Sequence, residues 1–207
     1  GILLISSFHL TKLFLKLLKG IYFMSQNEKQ IRLGIVGCGA ISRLNVRGYI
    51  EDPRCNVVAL CDPVRERAME KATEWGIQDT VKIYTDYGDL LNDPWIDAVE
   101  LLTPTHLHAQ QIISGLASGK HVSCQKPLCN TTKEAVQIAE AVKSSKHLFR
   151  VTENFIYYPP IVKAKDLIDR GFIGDPSMVR VRTIYGSREY TNTTYETDTF
   201  AWRSDRT

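Results

Sequence analysis

A lysine stands at the end of a short extended segment in the stretch GKHVSCQKPL. Residues 122–124 are apolar or small, as in a buried strand, and Gln125, Lys126 and Pro127 follow directly. An ammonium at the carboxyl end of a parallel strand lies where such sheets bind their ligands. There it would donate a hydrogen bond to a substrate hydroxyl and stabilise negative charge on that oxygen during hydride transfer. We predict that Lys126 is catalytic and buried at this edge; an ordinary exposed lysine in a surface loop is the alternative.

Two glycines in the stretch GIVGCGAIS follow an apolar segment and open a helical one. Gly37 would allow a tight turn, and Gly39 would let the backbone approach a pyrophosphate at the amino end of the helix. Ala40 and Ile41 are the next residues and belong to the same predicted cofactor contacts. Ser42 stands where the dinucleotide fingerprint has a third glycine, and it is still small enough for close packing. The pattern predicts dinucleotide binding, although glycines also end many strands without any ligand.

An acidic residue ends the next apolar segment, VVALCDP, a little over 20 residues beyond Gly39. At that position the carboxylate of Asp62 would accept hydrogen bonds from the adenosine ribose and repel a 2′-phosphate, which favours NAD over NADP. Arg65 and Arg67 follow closely and would accommodate a phosphate, so NADP stays the alternative cofactor. A plain helix cap before Pro63 is the structural interpretation of Asp62, and the two roles are compatible.

The segment LLTPTHLHA places Thr103, Pro104 and two histidines after a further apolar run. His106 and His108 are two residues apart, so on a helix they point in different directions and do not form a metal site as an i, i+4 pair would. We therefore predict no metal here. His108 is expected to pack or to cap near the cofactor rather than to transfer a proton, and Thr103 and Pro104 are predicted to contact the cofactor.

These residues are positioned by a regular alternation of strands and helices. Short apolar strands that alternate with helices of ten or more residues indicate crossover connections and a parallel sheet. Strands are predicted at 31–37, 56–62, 81–86, 97–104, 121–124 and 148–154. Helices are predicted at about 41–50, 63–75, 105–118 and 131–145, the last opened by Thr131 and Glu134 at capping-box spacing. The predicted fold class is α/β, a Rossmann-type doubly wound parallel sheet.

The bulk composition is that of a globular domain. The 207 residues carry 43% hydrophobic and 24% charged side chains. A net charge of +3, without a basic run, argues against a nucleic-acid or membrane partner. Five cysteines without a CxxC pair suggest neither a disulfide framework nor a zinc site, and the default is a reducing, cytoplasmic compartment.

Three segments are predicted along the chain. In residues 1–30 we expect a leader or extension outside the fold. Residues 1–23 are apolar with scattered lysines, too interrupted to span a bilayer, and the polar stretch SQNEKQ follows Met24. Residues 31–154 form the dinucleotide-binding domain. Residues 155–207 contain a helix with Ile161, Leu167 and Ile168 on one face and then an alternating strand at about 178–184. We expect the incomplete start of a second domain there, because a lone strand cannot bury its face.

Six motifs in this order resemble the Gfo/Idh/MocA oxidoreductases: Gly37-x-Gly39, CDP, TPTHLHA, GKHVSCQKPL, ENFIYYPP and GFIGDP. The resemblance covers about 31–203 and implies a Rossmann domain followed by an α+β domain with a mostly antiparallel sheet. It implies hydride transfer between NAD(P) and a sugar, polyol or related alcohol, and homo-oligomers of the full-length protein.

The resemblance also implies roles for single residues. Lys126 matches the lysine of the family's E-K-P motif, which bonds the reacting oxygen and lies against the cofactor. Gln125 replaces the usual glutamate, which contacts the nicotinamide ribose, and Asn154 lies where members touch cofactor or substrate. Ile156 stands where many members carry arginine, which weakens any inference of an anionic substrate.

One family segment has no counterpart in this sequence. The aspartate and histidine that exchange the alcohol proton normally follow a WR pair such as Trp202-Arg203, and only SDRT follows here. We therefore expect a truncated dehydrogenase. The alternative, favoured also by Gln125, is a dinucleotide-binding module without catalysis, such as a sensor or a remnant.

Overall fold

The computed structural model describes residues 30–153 and 155–182 and contains a six-stranded sheet. The strands are Ile31–Val36 (β1), Cys55–Cys61 (β2), Lys82–Tyr84 (β3), Ala98–Leu101 (β4), His121–Gln125 (β5) and Phe149–Thr152 (β6).

All neighbouring strands pair in parallel, in the order β3-β2-β1-β4-β5-β6. The order reverses at β1, which pairs with β2 on one side and with β4 on the other. A parallel doubly wound sheet binds its ligands outside the carboxyl ends of its strands at such a switch point. The predicted α/β fold is therefore confirmed, and the switch point lies beside the glycines that follow β1.

Within residues 30–153 and 155–182, six helices connect or follow the strands. They are Ser42–Glu51 (α1), Arg65–Glu74 (α2), Tyr87–Leu91 (α3), Thr105–Ala117 (α4), Thr132–Ser144 (α5) and Pro159–Asp169 (α6).

Helices α1 to α5 cover the two faces of the sheet and form two cores with it. One core contains Val99, Leu101 and Val122 under α3, α4 and α5, and the other contains Ile35 and Leu60 under α1 and α2. Burial on both faces explains why the strands are continuous apolar runs rather than alternating ones.

One local feature lets α4 approach the sheet closely, and another orders the start of α5. A Cβ at Gly115 of α4 would lie 2.8 Å from both Val122 Cγ2 and Tyr87 Oη, so only a glycine permits this close approach to β5. At the start of α5, the hydroxyl of Thr131 accepts from the Glu134 N–H, and the Glu134 carboxylate accepts from the Thr131 N–H. The predicted capping box is thus present.

Several element boundaries differ from the sequence prediction. Helix α2 begins at Arg65 rather than at Pro63, and β3 has only three residues. The strand expected at about 178–184 does not form in its described part: residues 178–182 are exposed and unpaired with any strand that the structure describes. A strand needs a neighbour for its backbone hydrogen bonds, and the described residues supply none to this segment. Helix α6, expected from its apolar spacing, does form.

Some predictions fall outside the described residues. These are the leader at 1–29, the side chain of Asn154, and everything from residue 183 onward. The division into three segments also stays a prediction. Among the helices of the described part, none is long and apolar enough to cross a membrane.

Candidate functional site

The turn after β1 requires a glycine and brings the first strand against the fourth. Gly37 has φ +94°, in the left-handed region that side chains with a Cβ rarely adopt. A Cβ there would also lie 2.8 Å from the Leu102 carbonyl oxygen, directly after β4. Beside it, the Leu102 N–H donates to the Val36 carbonyl at 2.7 Å. The backbone after β1 is therefore held next to the segment after β4.

The residues after this turn present unpaired backbone donors. The N–H groups of Gly39, Ala40 and Ile41 make no hydrogen bond to any residue in the described ranges. Gly39 is exposed, and a Cβ built on it would meet nothing within 4 Å. Free N–H groups at the start of a helix, together with the helix dipole, form an anion-binding site. The open space at Gly39 leaves room for a pyrophosphate to approach the backbone.

Ser42 replaces the third glycine of the fingerprint and closes the turn from inside. Its side chain is fully buried, and its hydroxyl donates to the Gly39 carbonyl at 2.6 Å. Its own N–H donates to the same oxygen at 3.1 Å. A small polar residue is therefore tolerated at this position because the turn itself satisfies its hydroxyl.

The carboxylate of Asp62 is buried at the end of β2 and bonds two backbone groups. Oδ2 accepts from the Cys38 N–H at 3.0 Å, and Oδ1 accepts from the Val64 N–H at 2.9 Å. Val64, not Asp62, occupies the N-cap position of α2, so Asp62 orders the turn before the helix rather than capping the helix. Each carboxylate oxygen has a second lone pair, so Asp62 can still accept from a ribose hydroxyl.

The charges around this carboxylate are unevenly distributed. Burial and the neighbouring Asp62 charge raise the pKa of the Cys38 thiol to about 12, so the thiol adds no negative charge to the turn at neutral pH. Arg65 and Arg67 are exposed, and neither forms an ion pair within the described part of the chain. Both guanidinium groups are therefore available to an anion near the start of α2.

His108 joins the segments that follow β4 and β5. Its ring is 1% exposed, with Nδ1 2.9 Å from the Pro127 carbonyl oxygen and Nε2 2.8 Å from that of Thr103. A neutral imidazole donates to only one of these carbonyls, whereas an imidazolium donates to both. This geometry fits a packing role, and contact with a cofactor stays a prediction. The Thr103 hydroxyl bonds Gln111 of α4, and Pro104 precedes that helix.

Lys126 lies directly after β5, but its side chain is exposed rather than buried as we expected. Strand β5 ends at Gln125, and both Lys126 and Pro127 after it are exposed, so the ammonium is accessible to solvent. Gln125 itself is buried, and its Oε1 accepts from the Lys126 N–H at 2.8 Å. An exposed ammonium at this edge remains free to meet a ligand.

Asn45 is a site residue that the sequence analysis missed. It lies in the first turn of α1. Its Nδ2 donates to the Ile41 carbonyl at 3.0 Å, and its Oδ1 accepts from Gln125 Nε2 at 3.2 Å. The available signal was an asparagine, a poor helix former, on the inward side of a helix directly after the glycine turn.

The fold thus brings most of the predicted residues to one edge of the sheet. Hydrogen bonds join the glycine turn to Asp62, α1 to Gln125, and the segment after β4 to the turn of Lys126. Asn154 lies outside the described residues. In the part of the chain that the structure describes, no group of His, Cys, Asp and Glu side chains could hold a metal ion.

Comparison with known proteins agrees with this geometry. The sequence model of the GFO_IDH_MocA family, an oxidoreductase family with an NAD-binding Rossmann fold, matches residues 31–153. An uncharacterized oxidoreductase of Bacillus subtilis, YrbE, is 33% identical over 153 residues, which are 74% of this chain and 44% of the relative. The scyllo-inositol 2-dehydrogenase (NAD(+)) of the same organism is 33% identical over 150 residues, 72% of this chain and 43% of the relative.

Solved oxidoreductase structures superpose on a similar share of this chain. A 3-ketoreductase from Actinomadura kijaniata, determined with TDP-benzene and NADP, superposes with a TM-score of 0.63 at 28% identity, over 71% of this chain and 46% of its own. An apo scyllo-inositol dehydrogenase from Lactobacillus casei superposes with a TM-score of 0.66 at 27% identity, over 72% of this chain and 44% of its own. The matched region spans less than half the length of each of these proteins.

Proposed function

The chain belongs to the Gfo/Idh/MocA oxidoreductases with an NAD-binding Rossmann fold, and on that premise we propose that it carries the cofactor half of a dehydrogenase for a sugar, polyol or related alcohol. The observation that carries the proposal is the set of three N–H groups at Gly39, Ala40 and Ile41 that have no partner among the described residues, on the sheet edge where Lys126 also lies. Relatives named as inositol dehydrogenases support the substrate class.

The residues at this edge fit the parts of a dinucleotide. The three N–H groups and the amino end of α1 would hold the pyrophosphate. The remaining lone pairs of Asp62 would accept from the adenosine ribose, which favours NAD, while Arg65 and Arg67 would hold a 2′-phosphate if NADP binds. When bound, the nicotinamide supplies the hydride acceptor or donor.

Lys126 would act on the substrate oxygen. Its exposed ammonium would donate a hydrogen bond to the hydroxyl oxygen and stabilise the negative charge that this oxygen carries once its proton is lost, before the hydride leaves carbon. The hydroxyl proton needs a separate acceptor, and none of the residues assigned here has that role. Lys126 is therefore proposed as an electrostatic catalyst and not as the complete acid–base machinery.

The first experiment is a calorimetric titration of the full chain with NAD⁺ and NADP⁺, wild type beside Lys126→Ala. Because Lys126 is exposed, we expect the variant to fold normally and to bind NAD⁺ within about threefold of the wild type, a difference of under 1 kcal/mol. A folded chain that binds neither cofactor would overturn the proposal.

The reaction is tested separately by NADH formation, followed by absorbance, with inositols, hexoses and anhydrosugars in a protein that contains this chain. We expect turnover that Lys126→Ala lowers by about 10²-fold or more, the effect of removing one oxyanion donor. Cofactor binding without turnover of any such substrate would favour the non-catalytic module instead.

A further inference from the structure

A chain of hydrogen bonds connects the turn of Lys126 to the opening of α1. The Lys126 N–H donates to Gln125 Oε1 at 2.8 Å, and Gln125 Nε2 donates to Asn45 Oδ1 at 3.2 Å. Asn45 Nδ2 then donates to the Ile41 carbonyl at 3.0 Å. Gln125 is 6% exposed and Asn45 is half-buried, so two side-chain amides form a partly buried bridge between β5 and α1.

The backbone groups at the two ends determine the orientation of both amides. The Ile41 carbonyl can only accept, so Asn45 must turn its NH₂ group towards it and its oxygen towards Gln125. The Lys126 N–H can only donate, so Gln125 must turn its oxygen towards Lys126 and its NH₂ group towards Asn45. The two requirements agree, and every polar atom that faces another across the bridge has a partner of opposite character.

A carboxylate at position 125 does not fit this bridge. It could accept from the Lys126 N–H, but its second oxygen would face Asn45 Oδ1, and two acceptors repel. If Asn45 rotated its amide to donate to the carboxylate, its oxygen would face the Ile41 carbonyl instead. The amide at position 125 is thus matched to the asparagine at position 45.

We propose that Asn45 and Gln125 are a matched pair of positioning residues that fixes the Lys126 turn against the phosphate-binding start of α1. The proposal rests on the proposed function, since it assigns the pair to the same cofactor edge. Its consequence is that glutamine in place of the family's usual glutamate at position 125 is not by itself a loss of function. The neutral amide of Gln125 holds the turn in position relative to the cofactor, and Asn45 is the residue whose hydrogen bonding requires an amide there.

The direct test is amide hydrogen exchange of the full chain, resolved by NMR, without any cofactor. The variants are Asn45→Ala, Gln125→Ala and the double substitution, and the control is Gln110→Ala, an exposed amide that bonds the Ser114 hydroxyl within the same helix. We expect faster exchange of the Lys126 N–H in the three bridge variants, with unchanged exchange in β1 and β4, and no change in the control. Unchanged exchange at Lys126 in folded Asn45→Ala would overturn the proposal.

The functional test is NADH affinity in the same variants. We expect Asn45→Ala and Gln125→Ala each to weaken binding about threefold to tenfold, the effect of one hydrogen bond. The double variant should bind no worse than Gln125→Ala, because Asn45 acts through Gln125; losses that multiply would overturn the pairing.

A pH profile separates positioning from general destabilisation. In Gln125→Glu, burial and the facing Asn45 oxygen favour the protonated carboxyl, which can donate to Asn45 Oδ1 and complete the bridge. The charged or titratable side chains on the neighbouring segments are Lys126 on the same turn, Glu100 on β4, His108 on α4, Arg150 on β6 and Glu153 after it, and Arg43, Arg47, Tyr49 and Glu51 on α1.

We expect the NADH affinity of Gln125→Glu, relative to wild type at each pH, to be reduced at pH 8 and to recover towards pH 5. A deficit that does not change with pH would contradict the matched pair. If wild type does not bind NADH at all, the proposed function fails, whereas the exchange experiment still decides whether the bridge positions Lys126.

Discussion

The Asp62 carboxylate at the end of β2 accepts a hydrogen bond from the N–H of Cys38, inside the glycine turn after β1, at 3.0 Å. This contact ties the predicted ribose acceptor to the predicted phosphate loop. A substitution of Asp62 or in the glycine turn therefore disturbs the backbone of the other segment. For this reason the free energy of unfolding has to be measured beside cofactor affinity in each variant.

Gly37→Ala should destabilise the fold. The substitution forces a Cβ into the left-handed region at φ +94° and to 2.8 Å from the Leu102 carbonyl. We expect a loss of about 2–4 kcal/mol in the free energy of unfolding, the sum of backbone strain and overpacking, measured by denaturant unfolding. A loss below about 0.5 kcal/mol would contradict this assignment.

Gly39→Ala should instead reduce cofactor binding with little effect on the fold. A Cβ at Gly39 meets nothing within 4 Å, and its φ is not in the left-handed region. We expect stability within about 0.5 kcal/mol of wild type and NAD⁺ affinity lower by at least about tenfold, since the methyl group occupies the space of the pyrophosphate. Calorimetry and denaturant unfolding on the same sample decide it; full affinity in the variant would argue against the phosphate site.

Asp62→Ala should affect both stability and cofactor preference. The N–H groups of Cys38 and Val64 lose their acceptor, at a cost of about 1–3 kcal/mol in the free energy of unfolding. The ratio of NAD⁺ to NADP⁺ affinity should fall, because the carboxylate no longer accepts from the ribose or repels a 2′-phosphate. Titrations with both cofactors, with Asp79→Ala as the exposed control, measure this ratio; an unchanged ratio in folded protein would exclude a ribose role.

His108→Ala should destabilise the edge that holds Lys126, and His106→Ala is its matched control. His108 is buried between the Thr103 and Pro127 carbonyls, whereas His106 is exposed. We expect about 2–4 kcal/mol for His108→Ala, from the unpaired carbonyls and the cavity, and less than about 0.5 kcal/mol for His106→Ala. Equal effects of the two substitutions on thermal or denaturant unfolding would contradict the bridging role.

Asp93 should give a pH-dependent contribution to stability. The pKa of its carboxyl is lowered to about 2, because the carboxylate accepts hydrogen bonds from the Tyr84 hydroxyl, the Trp95 N–H and the Lys82 ammonium. A lowered folded-state pKa contributes stability above the unfolded-state value near 4, and this contribution is lost as the pH falls towards 2.

The matching variant is Asp93→Asn, with the exposed Asp175→Asn as control. We expect the stability difference between wild type and Asp93→Asn to be largest above about pH 4 and to shrink towards pH 2. Urea unfolding across this range measures it. A difference that stays constant down to pH 2 would show that the ionised carboxylate is not the stabilising group.

The sequence by itself determined the fold class, because local signals carry it. Apolar runs between helical segments give parallel crossovers, and the capping box at Thr131 and the glycines at 37 and 39 are read from neighbouring residues alone. The residues that end strands could likewise be placed on one edge, since parallel strands all end there. The resemblance read from the motifs is confirmed by the family match over residues 31–153.

Only the tertiary structure decided how these residues are connected. The bond from Gln125 to Asn45 spans 80 positions, and that from Cys38 to Asp62 spans 24, so neither follows from local spacing. Lys126 was expected to be buried and is exposed, because burial depends on how the turn after β5 leaves the sheet. The strand expected near residue 178 has no neighbour in the described chain, and pairing is a property of two segments that one segment's sequence cannot supply.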